Sequence, residues 1–208
     1  MPPAPPDLLD AAEREAFVRL AKRQLRRARR ALRGALPVAA RVERSRAIAD
    51  RLSALPEVQT ARGVALFHPM EERGEVDLRG FHDVLRARGV RVYYPTSREG
   101  APALVRVDEL SELSEQGQGY LEPSPEAALA EPGAVDVVVV PALAVSESGH
   151  RLGYGAGFYD ALLPAIAPPA LSVVVAFDFE LLAELPVDAW DVPCAVVVTD
   201  RREIRPAR

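Results

Sequence analysis

The sequence predicts an α/β fold of three layers, a mostly parallel sheet flanked by helices. Valine-rich apolar runs recur without polar alternation at 63–67, 90–94, 135–140, 171–177 and 194–199, as strands buried on both faces should. Stretches with helical periodicity separate them, the alternation that builds parallel sheets. A chain of 208 residues, 49% hydrophobic and 27% charged, is long enough for one substantial core. No repeat or linker divides it. One α/β domain is therefore expected over residues 10–203, between a disordered Pro-rich tail (1–9) and a short polar tail (204–208).

Taken in order, residues 10–34 have the spacing of a helix, with Phe17, Leu20, Ala21, Leu25, Ala28 and Leu32 as its apolar side. Its other faces are basic: Lys22, Arg23, Arg26, Arg27, Arg29, Arg30 and Arg33. Such a face is either solvated or contacts phosphate or RNA; Lys22 and Arg26 lie one helical turn apart and share a side. After Gly34 and Pro37 a second helix carries Val42, Ile48, Ala49, Leu52 and Leu55. The strand at 63–67 leads into a polar loop from His68 to Gly74. Asp77 is placed to cap a helix bearing Leu78, Phe81, Val84 and Leu85, which Gly89 ends.

The strand at 90–94 is closed by Pro95, and alternation over 103–107 predicts an edge or antiparallel strand. Residues 108–134 read as a long surface connection with one turn of helix. The run at 135–140, interrupted only by Asp136, ends at Pro141 and leads through a glycine-rich stretch into a helix to about Ile166. Pro168 and Pro169 break that helix. A strand at 171–177, a short helix from Asp178 to Leu185, a loop from Pro186 to Pro193 and a last strand at 194–199 complete the chain, and the tail frays.

The totals exclude several classes. A formal net charge of −4 argues against a duplex-binding protein, although local basic clusters survive in the count. A single cysteine, Cys194, rules out an internal disulfide and a zinc cluster, reads as a buried strand residue, and suits a reducing cytoplasm. His68, His82 and His150 lack metal-ligand spacing. No apolar run reaches the ~18 residues of a membrane span, and the Met1-Pro-Pro-Ala-Pro-Pro start lacks the regions of a signal peptide.

The chemistry concentrates in Gly149-His150-Arg151-Leu152-Gly153-Tyr154-Gly155-Ala156-Gly157-Phe158-Tyr159-Asp160. Four glycines in nine positions admit a close approach to the backbone, just before a helix whose free N–H groups and dipole attract anions. The spacing fits neither the dinucleotide fingerprint nor the P-loop. An anion site and a glycine-rich structural turn both remain open on spacing alone. Ligands of such sheets sit beyond the carboxyl ends of the strands, here toward 68–75, 146–160 and Asp178. Asp160 and Asp191 are, singly, caps or solvated charges; converging on a phosphate loop, they would suit Mg²⁺.

Residues 11–200 resemble the 5-formyltetrahydrofolate cyclo-ligase (methenyltetrahydrofolate synthetase) family. The motifs that carry the resemblance run in order: Lys22-Arg23-Gln24-Leu25-Arg26; Gly74 to Asp77; Glu122-Pro123; the long Gly149–Asp160 motif; and Pro186 to Pro193 with Asp191 inside. The resemblance implies a NagB/RpiA/CoA-transferase-like fold and an ATP- and Mg²⁺-dependent closure of 5-formyltetrahydrofolate to 5,10-methenyltetrahydrofolate, releasing ADP and phosphate. The formyl oxygen attacks the γ-phosphorus, and N10 then closes the ring as phosphate leaves. The protein positions groups and neutralises charge.

By the same resemblance, Lys22, Arg23, Gln24, Leu25 and Arg26 contact ATP, as do Arg151, Leu152, Gly153, Tyr154, Gly155, Ala156, Gly157, Phe158 and Tyr159. Lys22, Arg26 and Arg151 are the catalytic cations. His68, Glu75 and the stretch Tyr154 to Phe158 bind the folate, and Asp160 and Asp191 hold Mg²⁺. Arg27 to Arg33 are left as solvated charges. The expected partner is a small folate, with or without a polyglutamate tail, acted on by a cytoplasmic monomer with no nucleic acid or membrane involved. The chain departs from the family pattern at Pro141-Ala142-Leu143-Ala144-Val145-Ser146, where Pro-Gly-x-x-Phe-Asp is common, which implies the loss of an aromatic wall and a charge beside the substrate. The alternatives are a homologue that binds folate or nucleotide without turnover, and RNA contact through Arg26 to Arg33.

Overall fold

In the computed structural model, which describes residues 10–117 and 119–207, the valine-rich runs form the parallel centre of a seven-stranded sheet. In chain order come α1 (Ala11–Gly34), α2 (Val38–Ala54), α3 (Pro56–Thr60), β1 (Gly63–Ala65), α4 (Arg79–Ala87), β2 (Arg91–Arg98), β3 (Ala101–Arg106), β4 (Leu113–Glu115) and β5 (Leu121–Pro123). Then follow β6 (Val137–Pro141), β7 (Ala144–Ser146), β8 (Arg151–Leu152), α5 (Phe158–Ile166), β9 (Leu171–Val175), β10 (Leu181–Leu182), β11 (Val196–Val198) and β12 (Glu203–Ile204). The large sheet runs β12-β11-β9-β6-β1-β2-β3. Its five central strands are parallel and both edges antiparallel.

Alternation along the strands separates two cores. Val64, Val92, Val137, Val139, Val173, Val175, Val196 and Val198 pack with Ile48 and Leu52 of α2, Val58 of α3, and Phe81 and Leu85 of α4. Ala65, Tyr93, Val138, Val140, Val174 and Val197 face the other way, toward Leu162 and Leu163 of α5. Sheet and helices thus form three layers, as expected. Full burial of one such side chain is worth roughly 1.5–3 kcal/mol. Asp136, the polar interruption before β6, accepts hydrogen bonds from the N–H groups of Arg62 and Gly63 and so anchors the start of β1.

The structure departs from the sequence expectations at several places. The helix at 11–34 forms, capped by Asp10 and Glu13, but presents the opposite side: Phe17, Leu20 and Leu32 are 49%, 43% and 47% exposed, while Lys22 and Arg33 are 7% and 2% exposed. Asp77 bonds the N–H of Arg79, yet Leu78 holds the cap position of α4. β2 continues through Pro95. Position 93 faces β1, since the Tyr93 carbonyl accepts from Leu66, so position 95 faces the same side beyond the end of β1 and its missing N–H forfeits no ladder bond.

Further along, residues 108–134 contain the β4–β5 hairpin. β6 and α5 are separated by the β7–β8 hairpin, which pairs with β10 in a small sheet. The helix expected at 178–185 is one 3₁₀ turn followed by β10. The last strand is β12, and the segment expected to fray is tied down by Arg205, which pairs with Glu57. The Pro-rich stretch 1–9 lies outside the described residues. Among the described residues no helix is long and apolar enough to cross a membrane.

Candidate active site

From β1 the chain turns to β2 on one side, and β6, β9 and β11 add on the other. The crevice beyond the carboxyl ends at such a reversal is where open α/β sheets bind ligands. A cavity of about 860 Å³ opens there, bounded by Phe67 and His68 after β1, Pro95 and Thr96 of β2, and Pro141 of β6. That volume suits a cofactor-sized ligand. Four further segments close it: α1, the loop from Met70 to Glu75, the stretch from Arg151 to Asp160, and the loop from Asp188 to Asp191, with Tyr120 and Glu122 of the hairpin at one side.

The wall made by α1 is cationic. The Lys22 ammonium donates to Asp188 at 2.6 Å and Asp191 at 2.5 Å. One turn on, Arg26 donates from Nε to the Gly153 carbonyl at 2.9 Å, and burial, then its neighbour Arg30, lower its pKa. Arg29 donates to the Phe179 carbonyl. Arg33 pairs with Glu180 at 2.6 Å and donates to the Ala142 carbonyl. Burial favours the neutral form of this guanidinium, but Glu180 outweighs it and raises the Arg33 pKa.

The glycine-rich wall begins with a structural lock. Gly149 has φ +83°, and a Cβ there would stand 2.3 Å from the Cys194 carbonyl oxygen; its own carbonyl accepts from the Cys194 N–H. Arg151 donates to Asp160 at 2.8 Å and to the Val192 carbonyl, so it joins the hairpin to both neighbouring segments. Asp160 also accepts from the Val192 N–H. At Gly155, φ is +111° and a Cβ would lie 3.5 Å from the Arg26 guanidinium carbon, so the loop rests directly on α1. Gly157, in the left-handed region, starts α5 without a side-chain cap, which leaves first-turn N–H groups free to bind an anion. Tyr154 lies between the guanidinium groups of Arg73 and Arg30, at 4.6 and 5.2 Å from its ring centre.

The remaining wall is carboxylic. Glu75 is buried, and its Oε2 accepts from the Met70 N–H at 2.9 Å. Its Oε1 and the Tyr154 hydroxyl are buried side by side, close enough to interact, yet neither makes a well-formed hydrogen bond among the described residues. Burial raises the Glu75 carboxyl above the ordinary range. An acceptor left without a donor in this way costs about 1–3 kcal/mol, which a ligand N–H would relieve. Burial, then Arg79, lower the His68 imidazole, which favours its neutral form. Cys194 lies beneath the site with its thiol pushed up by burial to about 11, an inert packing group.

A sequence model of the 5-formyltetrahydrofolate cyclo-ligase family matches residues 18–200. The chain belongs to this family. It is 37% identical over 190 residues to the 5-formyltetrahydrofolate cyclo-ligase of Mycolicibacterium smegmatis, covering 88% of this chain and 95% of the relative. With the Escherichia coli protein of that name it shares 33% identity over 156 residues, 73% of this chain and 85% of the other. The NMR structure of Aquifex aeolicus 5,10-methenyltetrahydrofolate synthetase superposes with a TM-score of 0.79 at 33% identity, over 90% of this chain and 93% of that one. A Mycoplasma pneumoniae structure of the same name, at 22% identity and a TM-score of 0.69, shares the fold.

Of the residues singled out by the cyclo-ligase motifs, the structure gathers Lys22, Arg23, Arg26, His68, Glu75, Asp191 and the whole stretch Arg151 to Asp160 around one cavity. Gln24 and Leu25 do not line it: Gln24 is exposed on the far side of α1, and Leu25 is half-buried outside the cavity. Arg29 and Arg33, expected to be solvated, point inward, so the RNA-binding face does not exist as drawn. Sequence reasoning missed Asp188, Arg73 and Tyr120, and gave Glu122 no role. Asp188 was findable, three residues before Asp191 in the same motif; Arg73 carries no signal beyond its loop. Ala142 to Ser146, where the chain departs from the family pattern, are buried around and within β7 and do not line the cavity. Among the described residues no three metal-ligating side chains converge; Mg²⁺ that keeps phosphate oxygens and waters needs only one or two carboxylates.

Proposed function

We propose that the chain closes 5-formyltetrahydrofolate to 5,10-methenyltetrahydrofolate at the expense of ATP and with Mg²⁺, releasing ADP and phosphate. The observation that carries this reading is one cavity lined by two unlike sets of groups. Lys22, Arg26 and the uncapped start of α5, together with Asp160 and Asp191, make the first set, and buried Glu75, with an oxygen that lacks a well-formed hydrogen bond, belongs to the second. The first set suits a triphosphate, and the second suits the amino and ring N–H groups of a pterin.

The reaction balances with ATP and the folate alone. The formyl oxygen bonds to the γ-phosphorus as the bond to ADP breaks; N10 attacks the activated formyl carbon, loses its proton, and the C–O bond leaves with phosphate. Lys22, Arg26 and the free N–H groups of α5 neutralise charge on the transferring group, and the loop from Gly153 to Gly157 holds both reactants in line. Bound Mg²⁺, held by Asp160 and Asp191, contributes charge neutralisation at the phosphates. We read the chain as acting as a monomer in the cytoplasm, and the buried Cys194 thiol suits that reducing setting.

Absorbance of methenyltetrahydrofolate should appear when 5-formyltetrahydrofolate, ATP and Mg²⁺ are all supplied, and not when any one is withheld. Tight nucleotide or folate binding by folded protein with no ADP release would replace this reading with that of a non-catalytic binder.

A further inference from the structure

The Lys22 ammonium is shared. Its side chain is 9% exposed and touches Oδ2 of Asp188 and of Asp191, themselves 7% and 12% exposed. The same Asp191 oxygen accepts from the Asp188 N–H at 2.8 Å, so the three groups form one closed unit in the loop before β11. Two carboxylates thus converge on one ammonium, with the Arg26 guanidinium near enough to interact with both aspartates. Asp191 therefore faces competing demands: a contact ion pair with Lys22, and, on the reading above, a divalent cation that arrives with phosphate.

We propose that Asp188 is a positioning residue for the phosphate end of the cavity, holding Lys22 so that Asp191 can turn to a metal ion without stranding the ammonium. This rests on the proposed nucleotide and Mg²⁺ chemistry. With Asp188 present, a cation approaching Asp191 displaces one of two partners of Lys22, and the buried ammonium keeps a counter-charge in place. Without it, Lys22 and Asp191 close into a one-to-one pair that the metal must break, leaving a buried cation unpaired. The Asp188 carboxylate has the opposite effect on metal-free nucleotide, whose phosphates it repels. Asp188 thus makes binding of nucleotide and of metal depend on one another.

The chain has one tryptophan, Trp190, exposed at the cavity wall between the two aspartates, so its emission reports this loop directly. The experiment titrates a non-hydrolysable ATP analogue against Trp190 fluorescence, with saturating Mg²⁺ and with a chelator, in the wild-type chain, Asp188→Asn and Asp188→Glu. The measured quantity is the factor by which Mg²⁺ tightens binding. Loss of a residue that orients a metal ligand costs about 10–100-fold in metal affinity, so Asp188→Asn should cut that factor by about tenfold or more. It should weaken the Mg²⁺ arm, leave the chelator arm equal or tighter, and be largely restored by Asp188→Glu.

A purely structural role would weaken both arms alike and leave the factor unchanged, which overturns the proposal while the wild type still shows Mg²⁺-dependent binding. A wild-type chain that binds no nucleotide, or binds it indifferently to Mg²⁺, instead overturns the underlying reading of the site and the proposal with it.

Discussion

Helices α1 and α4 are both amphipathic in sequence and dock in opposite senses. α4 buries Phe81 and Leu85 in the main core, as its periodicity predicts, with only Val84 of the expected apolar set left exposed. α1 exposes Phe17, Leu20 and Leu32 and turns Lys22, Arg26, Arg29 and Arg33 inward onto carboxylates and carbonyls. Hydrophobic periodicity orients a helix when its partner is an apolar sheet face. Where the partner is a cavity rimmed by carbonyls and aspartates, paired charges decide the orientation, and the apolar stripe is left facing out.

The largest effect separating the two helices belongs to Arg33. Breaking a buried ion pair by removing one partner typically costs about 3–5 kcal/mol, so Arg33→Ala should lower stability to chemical denaturation by about that amount. The double change Arg33→Met with Glu180→Leu should recover most of it; a double variant as unstable as the single one would show that the Ala142 carbonyl contact, not the pair, fixes α1. Leu85→Ala in α4 should cost about 2–5 kcal/mol through the cavity it leaves. Its loss should hardly change between low and high salt. The buried Arg33–Glu180 pair is likewise little screened by salt, so the contrast between the helices is read from the double variant.

Glu75→Gln tests the charge that has no partner. Burial raises its folded pKa, so its contribution to stability is fully present below the ordinary carboxylate pKa and is lost as pH rises through the folded value. The neutral amide should therefore match or slightly exceed the wild-type melting temperature at pH 7 while raising the KM for the folate, with the KM for ATP little changed. Phe17→Ser on the exposed side of α1 should fall within about 0.5 kcal/mol of wild type; a loss comparable to Leu85→Ala would mean that stripe is covered in solution.

The smallest effect is expected in the tail, where Glu57 is held below its ordinary pKa, chiefly by hydrogen bonding from Arg205. The folded chain binds that proton less readily than the unfolded one, so this contribution exists above the ordinary glutamate pKa and disappears as pH falls through the folded value. Protection of the β12 amides, measured against the intrinsic exchange rate at each pH, should fall in acid, and Arg205→Ala should show the lower protection already at neutral pH.

The sheet was legible because every central strand is buried on both faces and has to be apolar, and because the edge at 103–107 alternates as an exposed strand does. The site was legible where residues one turn apart or in one loop share a purpose: Lys22 with Arg26, and Arg151 through Asp160. Long-range pairing was not. Nothing local tells Arg33 that Glu180 awaits it, or tells β7 that its partner β10 lies beyond β9. The hairpin within 108–134 escaped for a related reason: β4 and β5 are three residues each, too short for a period to emerge. Val145 and Ser146 sit buried in β7, off the cavity surface, because adjacency in a motif does not fix which face of a strand a side chain takes.

Gly149 and its successors give one motif a gradient of editability. A side chain at Gly149 would run into the Cys194 carbonyl, and at Gly155 would meet both an unfavourable φ and the Arg26 guanidinium. Gly153 has ordinary φ and open space around its hypothetical Cβ, and Ala156 is exposed. A library meant to retune which nucleoside or folate this loop accepts should therefore vary 153 and 156 and hold 149 fixed, because the first letter of the motif is written for the chain itself and only the later ones for the ligand.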